Sequence, residues 1–366
     1  MKKATLIVGA RPNFMKMAPL FLALEPSRNI KTLLLHTGQH YDFEMSQCFF
    51  EEFSLPEPQF FLGVGSGTHG EQTGKIIIES EKLFLRERPD LVVVFGDVNS
   101  TLACCLAAKK LGILIAHVEA GLRSFDMSMP EEINRKLTDA ISDILFTSSK
   151  DGNSNLLREG INKAIIYLVG NIMIDSLVKI MSKIDEDYQN KTYEKYGLNN
   201  KHYILVTLHR PSNVDREGTL KQILLFLNNM SGQIPVVFSM HPRTKKNLDR
   251  FELNREIKWN ENFKMTAPMN YKEFIALEES AAIVVTDSGG IQEETTFLDV
   301  PCLTLRPNTE RPITITKGTN ELVDLENIEQ KVNVVLSGKR KKGRVPLLWD
   351  GRAAERIANI IHNYLS

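Results

Sequence analysis

Short, almost unbroken apolar runs recur along the chain, and longer stretches with helical spacing lie between them. The runs include ATLIVGA, KTLLLHTG, DLVVVFGD, ILIAHVEAG, DILFTSS and IIYLVGN. They are rich in Val, Ile and Leu and do not alternate apolar with polar. A strand of that kind is buried on both faces, which requires a parallel sheet covered by helices. EQTGKIIIESEKLFLRE and EINRKLTDAISD supply the helical period in between. The pattern fades between residues 175 and 202, where DEDYQNKTYEKYGLNNKH is polar. It restarts with YILVTLH, IPVVFSMHP, AAIVVTDSGG and PCLTLRP. A length of 366 residues, at about 150 residues per domain, then predicts two Rossmann-like, doubly wound α/β domains that face each other across a cleft. Their spans are 1–172 and 173–351. Residues 352–366 form a closing helix, for which Asp350 is the candidate cap.

Composition excludes several function classes. Lys plus Arg and Asp plus Glu each number 45, so the net charge is zero. That argues against a nucleic acid or an anionic membrane as partner. No run reaches the roughly 20 apolar residues that cross a bilayer. MKKATLIVGARPN opens like a secretion signal, but Arg11 and Pro12 end the apolar run with no cleavage site, and a first strand is expected. Cys48, Cys104, Cys105 and Cys302 show no CxxC spacing. They read as free thiols in a reducing cytoplasm, without a zinc site. The basic run Lys339, Arg340, Lys341, Lys342 and Arg344 reads as a surface loop.

Doubly wound sheets bind ligands beyond the carboxyl ends of their strands, so the residues that end each run are the candidates. Gly9-Ala10-Arg11-Pro12-Asn13-Phe14-Met15-Lys16 places a glycine turn, a helix start and two cations together, the makings of an anion site. Asp97 ends one apolar run and Glu119 the next. Carboxylates in such places are costly to bury without a task, and a nearby pair suits general acid–base work. Pro130-Glu131-Glu132-Ile133-Asn134-Arg135 opens a helix close behind. In the second half, His209 and Arg210 end one run, and His241 with Arg243 follows another; such a pair suits a diphosphate or a proton. Thr286-Asp287-Ser288-Gly289-Gly290 leads into a helix carrying Glu293 and Glu294, which suits a phosphate at a helix start with a ribose nearby. Gly65-Ser66-Gly67-Thr68-His69-Gly70 matches GxGxxG formally, but it follows a weak strand and lacks a distal acid. A flexible loop is expected there instead.

Taken together and in order, GARPNFMKMAPL, TGQH, GDVNSTLA, HVEAGLRS, PEEINR, Gly170-Asn171, HRPSNVD, TDSGGIQEE and TERP resemble the non-hydrolysing UDP-N-acetylglucosamine 2-epimerases over nearly the whole chain. The resemblance implies a fold like the B-type glycosyltransferases (GT-B), with the C-terminal helix packed back on the first domain, and a homodimer. It implies no catalytic metal and no NAD. It implies elimination of UDP across C1–C2 to 2-acetamidoglucal and re-addition on the other face, giving UDP-N-acetylmannosamine for surface polysaccharides. Carried over by motif, Asp97, Glu119, Glu131 and His209 are catalytic. Arg11, Lys16, Arg210, Ser288, Gly289, Gly290 and Arg311 hold the UDP, Glu294 the ribose, Arg135 the sugar, and Phe274 lies beside the uracil. Members regulated by a second substrate molecule carry AQHRxxLD. Here Gly38-Gln39-His40-Tyr41-Asp42-Phe43-Glu44-Met45 keeps only Gln39 and His40, with His241 as a further allosteric position. A GT-B glycosyltransferase, an epimerase of diacetamido-uronic sugars, a hydrolysing epimerase and an inactive binding protein are the alternatives.

Overall fold

The computed structural model describes residues 1–39, 50–198 and 202–366, apart from the side chains of Arg11 and Pro12. His40 and Cys48 therefore lie outside the described residues, as does the Arg11 side chain. The chain divides into two units, Met1–Val178 with Leu347–Ser366, and Lys179–Pro346.

The first unit holds β1 (Lys2–Val8), β2 (Ile30–His36), β3 (Phe60–Phe61), β4 (Leu91–Phe95), β5 (Leu114–Ala120), β6 (Ile144–Thr147) and β7 (Ile166–Leu168). They form one sheet in the order β3-β2-β1-β4-β5-β6-β7. Every pairing is parallel. The second unit repeats the plan with β8 (Ile204–Thr207), β9 (Val236–Ser239), β10 (Phe263–Thr266), β11 (Ile283–Thr286), β12 (Cys302–Leu305) and β13 (Asn320–Val323). Its order is β10-β9-β8-β11-β12-β13, also parallel throughout. Each is a doubly wound α/β sheet, as the two-sided apolar runs require: all five residues of β4, and all four of β11, are buried. In each unit the winding reverses beside the first strand, at β1/β4 and at β8/β11. The loops that leave those strands splay apart there and leave room for a ligand.

The first unit is completed by the end of the chain. The helix Ala353–Leu365 packs on the helix Arg11–Leu24. It buries Ala353, Ala354, Ile357, Ala358, Ile361 and Leu365, the single stripe its spacing predicts. The returning segment is held at three points. Trp349 is buried and its indole N–H donates to the Ser148 carbonyl at 3.0 Å. The Leu348 carbonyl presses on Gly170, where a Cβ would stand only 2.0 Å away, and Gly170 also has φ +92°. That close approach explains the glycine of the Gly170-Asn171 pair. Asp350 is not the cap expected from sequence. The first helical amides, Ala353 and Ala354, donate instead to Asp175 at 3.1 and 2.8 Å. Asp350 lies two residues before the cap position, takes the Arg352 amide at 3.2 Å and pairs with Arg356.

Two other stretches are tied down. Backbone bonds run from Val64 and Gly65 to the carbonyls of Thr37 and Gly38, and Gln72 Nε2 reaches the Gly65 carbonyl at 3.0 Å. The GxGxxG-like segment is thus stapled to the end of β2, and Thr68 caps the helix His69–Glu87 that follows. In the basic run, Lys341 donates to the carbonyls of Ile315 and Asn320, and Arg340 pairs with Asp299. Among the described residues, no helix is long and apolar enough to cross a membrane.

Burial pushes the Asp175 carboxyl up from 3.8 to about 6, helped by the nearby Asp350 charge and opposed by the two helix amides. The folded state therefore holds this proton more tightly than the unfolded one. That contribution to stability is present below pH 4 and is lost as pH rises through 6. Asp175→Asn is expected to remove this slope in unfolding measurements between pH 4 and 7. Asp175→Ala leaves two amides without their acceptor and is expected to cost about 1–2 kcal/mol near neutral pH, and more as pH falls toward 4, where the raised pKa adds its contribution.

Candidate functional site

At the β1/β4 switch point of the first unit, the helix Arg11–Leu24 begins directly after β1. Asn13 in its first turn donates to the Phe95 carbonyl at 2.6 Å, which docks the helix start on the end of β4. One turn later Lys16 points inward and forms a buried ion pair with Glu119 from the end of β5. The pair lies against Gly96. A Cβ there would stand 2.9 Å from Lys16 Nζ and 3.3 Å from Glu119 Oε2, and Gly96 has φ +61°. Glu119 itself has φ +75°, and the β5/β6 register slips between Val118 and Ala120. A glutamate in that backbone region stores strain of about 1–3 kcal/mol, a cost found where a side chain must be aimed.

Asp97 follows Gly96. Its carboxylate, about a quarter exposed, pairs with Arg135, and its carbonyl takes a hydrogen bond from Asn134 at 2.9 Å. Arg135 is buried and held by Glu132 through two bonds of 2.7 and 3.1 Å. Burial works against the Glu132 carboxylate, but the Ser124 amide and hydroxyl together with Arg135 outweigh it and hold its pKa below the ordinary value. Glu131, in the first turn of the same helix Pro130–Ile141, is half-buried. The sequence candidates Asp97, Glu119 and Arg135, with Lys16 from the helix Arg11–Leu24, thus meet at the ends of β4 and β5, and Glu131 lies in the first turn of the helix that carries Arg135. Gln39 is placed nearby, but its side-chain oxygen is engaged: it accepts from the Ser100 amide at 2.8 Å and hydroxyl at 2.6 Å, at the start of the helix Asn99–Lys110.

In the second unit, the ends of β8 and β11 are knotted together by Asp287, which sequence reasoning passed over. Its fully buried carboxylate accepts the amides of His209 and Arg210 at 3.0 and 2.8 Å and Asn213 Nδ2 at 2.9 Å. It also faces His209 Nδ1 at 3.0 Å. Burial raises the cost of its charge, yet these donors outweigh it and hold the acid below its usual range. An ionised Asp287 fixes the tautomer of His209 with Nδ1 protonated and the other ring nitrogen presented outward. The signal was available: an acid ends a wholly apolar strand. The His209 ring lies 5.2 Å from that of His241, whose Nδ1 caps the helix Pro242–Arg250.

Ser288, Gly289 and Gly290 lie where β11 gives way to the helix Gly289–Leu298. A helix start of this kind offers free amides to an anion. Arg311 backs it: a Cβ on Gly289 would lie 2.3 Å from Arg311 Nη1. Glu293 at 3.0 Å and Glu310 hold that guanidinium in place. Arg210 is half-buried, and its Nε has no hydrogen-bond partner among the described residues. Glu294 is buried and accepts from the Tyr271 hydroxyl at 2.7 Å. Phe274 lies with Tyr203, Leu277, Val284 and Ile291 in a buried apolar cluster. Among the described residues, no group of three or more His, Cys, Asp or Glu is placed to hold a metal ion.

Gly96→Ala is the sharpest test of the first half of this geometry. The change forces a side chain into a left-handed backbone region, at about 1–2 kcal/mol, and crowds the Lys16–Glu119 pair as well. A thermal melt is expected to show a loss of at least that size.

The comparisons with known proteins agree with one another. The family described as UDP-N-acetylglucosamine 2-epimerase matches residues 22–362. A UDP-N-acetylglucosamine 2-epimerase of Methanocaldococcus jannaschii is 45% identical over 363 residues, 98% of each chain. Its crystal structure in complex with UDP-GlcNAc and UDP matches with a TM-score of 0.89 over 99% of both chains. A UDP-2,3-diacetamido-2,3-dideoxy-D-glucuronate 2-epimerase of Pseudomonas aeruginosa is 40% identical, over 98% of this chain and 99% of its own. A glycosyltransferase of Rickettsia africae, at 12% identity and a TM-score of 0.57, shares the fold alone. Family match, identity along the whole length and paired α/β sheets point the same way: the chain belongs to the UDP-N-acetylglucosamine 2-epimerase family.

Proposed function

We propose that the protein interconverts UDP-N-acetylglucosamine and UDP-N-acetylmannosamine by eliminating UDP and adding it back. The observation that carries this reading is the meeting of Asp97 and Glu119 at one switch point, with Arg135 paired to the first and Lys16 to the second. The hydrogen at C2 of the sugar is not next to a carbonyl, so simple removal and return of that proton is closed. Elimination opens a route. One carboxylate takes the C2 proton, the C–H electron pair becomes the C1–C2 double bond, and the C1–O bond breaks with its electrons leaving on UDP. Re-addition puts the UDP oxygen back on C1 while a second acid delivers a proton to the opposite face of C2. Proton transfer by positioned carboxylates contributes about 10²–10⁴-fold each.

The departing UDP needs a strong anion site. The start of the helix Gly289–Leu298, with Arg210 and Arg311, supplies donors for a diphosphate. His209, oriented by Asp287, is suited to stabilise or protonate the leaving diphosphate. Glu294 offers a carboxylate to the ribose, and Phe274 an aromatic near the base. Nothing in this scheme calls for a hydride acceptor. The buried free thiols Cys104, Cys105 and Cys302 fit a reducing, cytoplasmic compartment.

A homodimer belongs to the same proposal. Phe125, Met127, Ile133 and Leu137 are 75%, 56%, 40% and 48% exposed. They sit on the helix Pro130–Ile141 and the loop before it, and Ile133 and Leu137 share one helix face. A second copy of the chain would cover an apolar surface of this kind. Light scattering is expected to give a dimer, and the double variant Ile133→Glu with Leu137→Glu is expected to give a monomer.

The activity test is proton NMR of the protein with UDP-N-acetylglucosamine in D₂O. The expected result is a UDP-N-acetylmannosamine signal together with loss of the C2 proton. Free UDP and free sugar instead would mean hydrolysis. Turnover of only a 2,3-diacetamido-uronic substrate would move the assignment to that branch. Asp97→Asn is expected to retain UDP binding and to lose turnover by about 10²–10⁴-fold.

A further inference from the structure

Beneath the gathered carboxylates lies a buried group that the scheme above does not use. His117 is on β5, two residues before Glu119, and is wholly buried. Its Nδ1 is 2.7 Å from Asp139 Oδ1, and its Nε2 is 2.8 Å from the Gly96 carbonyl oxygen. The other Asp139 oxygen accepts Arg123 Nη1 at 2.8 Å and the Gly121 amide at 3.1 Å. Arg123 in turn is bonded to Glu159 by its Nε at 2.9 Å and its Nη2 at 2.6 Å. Burial disfavours the Asp139 charge, but His117 and Arg123 outweigh it and hold the acid below its ordinary value.

The partners of the ring decide its state. A peptide carbonyl can only accept, and an ionised carboxylate can only accept. Each ring nitrogen faces one of these, so each must donate. Arg123 pairs with Asp139 within the buried group, while Glu159 lies at the exposed rim, where Lys136 also reaches it at 3.7 Å; the two acceptors that face the ring are what call for two protons. Across Gly96 the charged groups are Lys16 and Glu119, already paired with each other.

We infer that His117 is a positioning residue for both Asp97 and Glu119, acting as a buried imidazolium that pins the Gly96 carbonyl. The peptide whose carbonyl it holds is the one that joins Gly96 to Asp97. Asn134 holds the next carbonyl, that of Asp97, at 2.9 Å. The backbone of Asp97 is therefore fixed on both sides before its side chain meets any ligand. The same ring belongs to the strand that ends in Glu119, and the Gly96 amide donates to the Val118 carbonyl at 3.0 Å. One side chain thus locks the ends of β4 and β5 against each other, and each end carries a carboxylate. Catalytic groups misplaced by about 1 Å lose on the order of 10²-fold in rate, which is the scale at which such a lock matters.

The catalytic consequence rests on the epimerase reading; the protonation state does not. The first measurement is ¹⁵N NMR of histidine-labelled protein at neutral pH, with the His117→Phe variant identifying the His117 signals by their absence. Two protonated ring nitrogens are expected, and one bare nitrogen overturns the inference. The second measurement is kinetic. His117→Asn keeps one donor, so kcat is expected to fall about 10–100-fold while the dissociation constant for UDP stays within about twofold of the original protein. Unchanged kcat overturns the positioning role. Loss of UDP binding in step with kcat shows a merely structural role and overturns it too. Should the variants fail to fold, the NMR result on the unaltered chain, its His117 signals picked out by their bonds to labelled Asp139 and Gly96, decides the protonation on which the inference stands. An unaltered protein without epimerase activity would sink the functional reading and leave the protonation result standing by itself.

Discussion

The buried ion pair between Lys16 and Glu119 governs the architecture of the first unit's switch point. It joins the helix after β1 to the end of β5, across the end of β4. Removing one partner of such a pair strands a charge and costs about 3–5 kcal/mol, so each residue fixes what its neighbours can be. Gly96 must lack a side chain because the pair occupies the space. Glu119 must accept a left-handed backbone to reach Lys16 from a strand that slips register at that point. Asn13 must anchor the helix start so that Lys16 arrives one turn later at the right depth. Asp97, next along the chain from Gly96, takes its place from that crowded junction.

The second unit solves the same problem with a different group. There a single carboxylate, Asp287, gathers two amides, an asparagine and a histidine where β8 and β11 part. In both units the switch point of a doubly wound sheet is closed by a buried charge that is paired or hydrogen-bonded. Closure of this kind is rigid, because shifting any donor leaves a buried carboxylate short of partners. Just beyond each closure lie the groups to which the proposed reaction would assign its chemistry, Asp97 in one unit and His209 with Arg210 in the other.

Much of this was legible in the residues. Two-sided apolar runs demand parallel sheets, and they mark ten of the strands; β3, β10 and β13 went unmarked because they are partly exposed. The motif order pointed to Lys16, Asp97, Glu119, Glu131, Arg135 and His209, and it placed Ser288 to Gly290 at a helix start. The polar contacts that escaped notice share one cause. Asp287, Asp139 and Arg123 act through partners remote in sequence, and a spacing rule sees only near neighbours. Asp350 was chosen as a cap because it precedes the helix, whereas Asp175 does the work from the far side of the second unit's sequence. Gln39, an allosteric candidate by its motif, has its oxygen held by Ser100 across 61 positions, a bond no local pattern shows. The segment Gly65–Gly70 looked loose from its composition; its first residue is bonded back to Gly38, and Thr68 caps the helix that follows.

The return of the chain to its first unit bears on how the protein is made. Residues 347–366 supply Trp349 and the helix that covers Arg11–Leu24. On the ribosome, the first unit emerges early and cannot be finished. Its apolar helix face stays uncovered until the entire second unit has been translated, a wait on the order of ten seconds at about 5–20 residues per second. The second unit, contiguous in sequence, meets no such delay and can close as soon as it leaves the exit tunnel. Assembly therefore runs against the numbering: the later unit is ready first, and the final twenty residues complete the earlier one. A nascent chain halted before Trp349 would leave the helix Arg11–Leu24 with its apolar face uncovered, the state on which a holding chaperone would act.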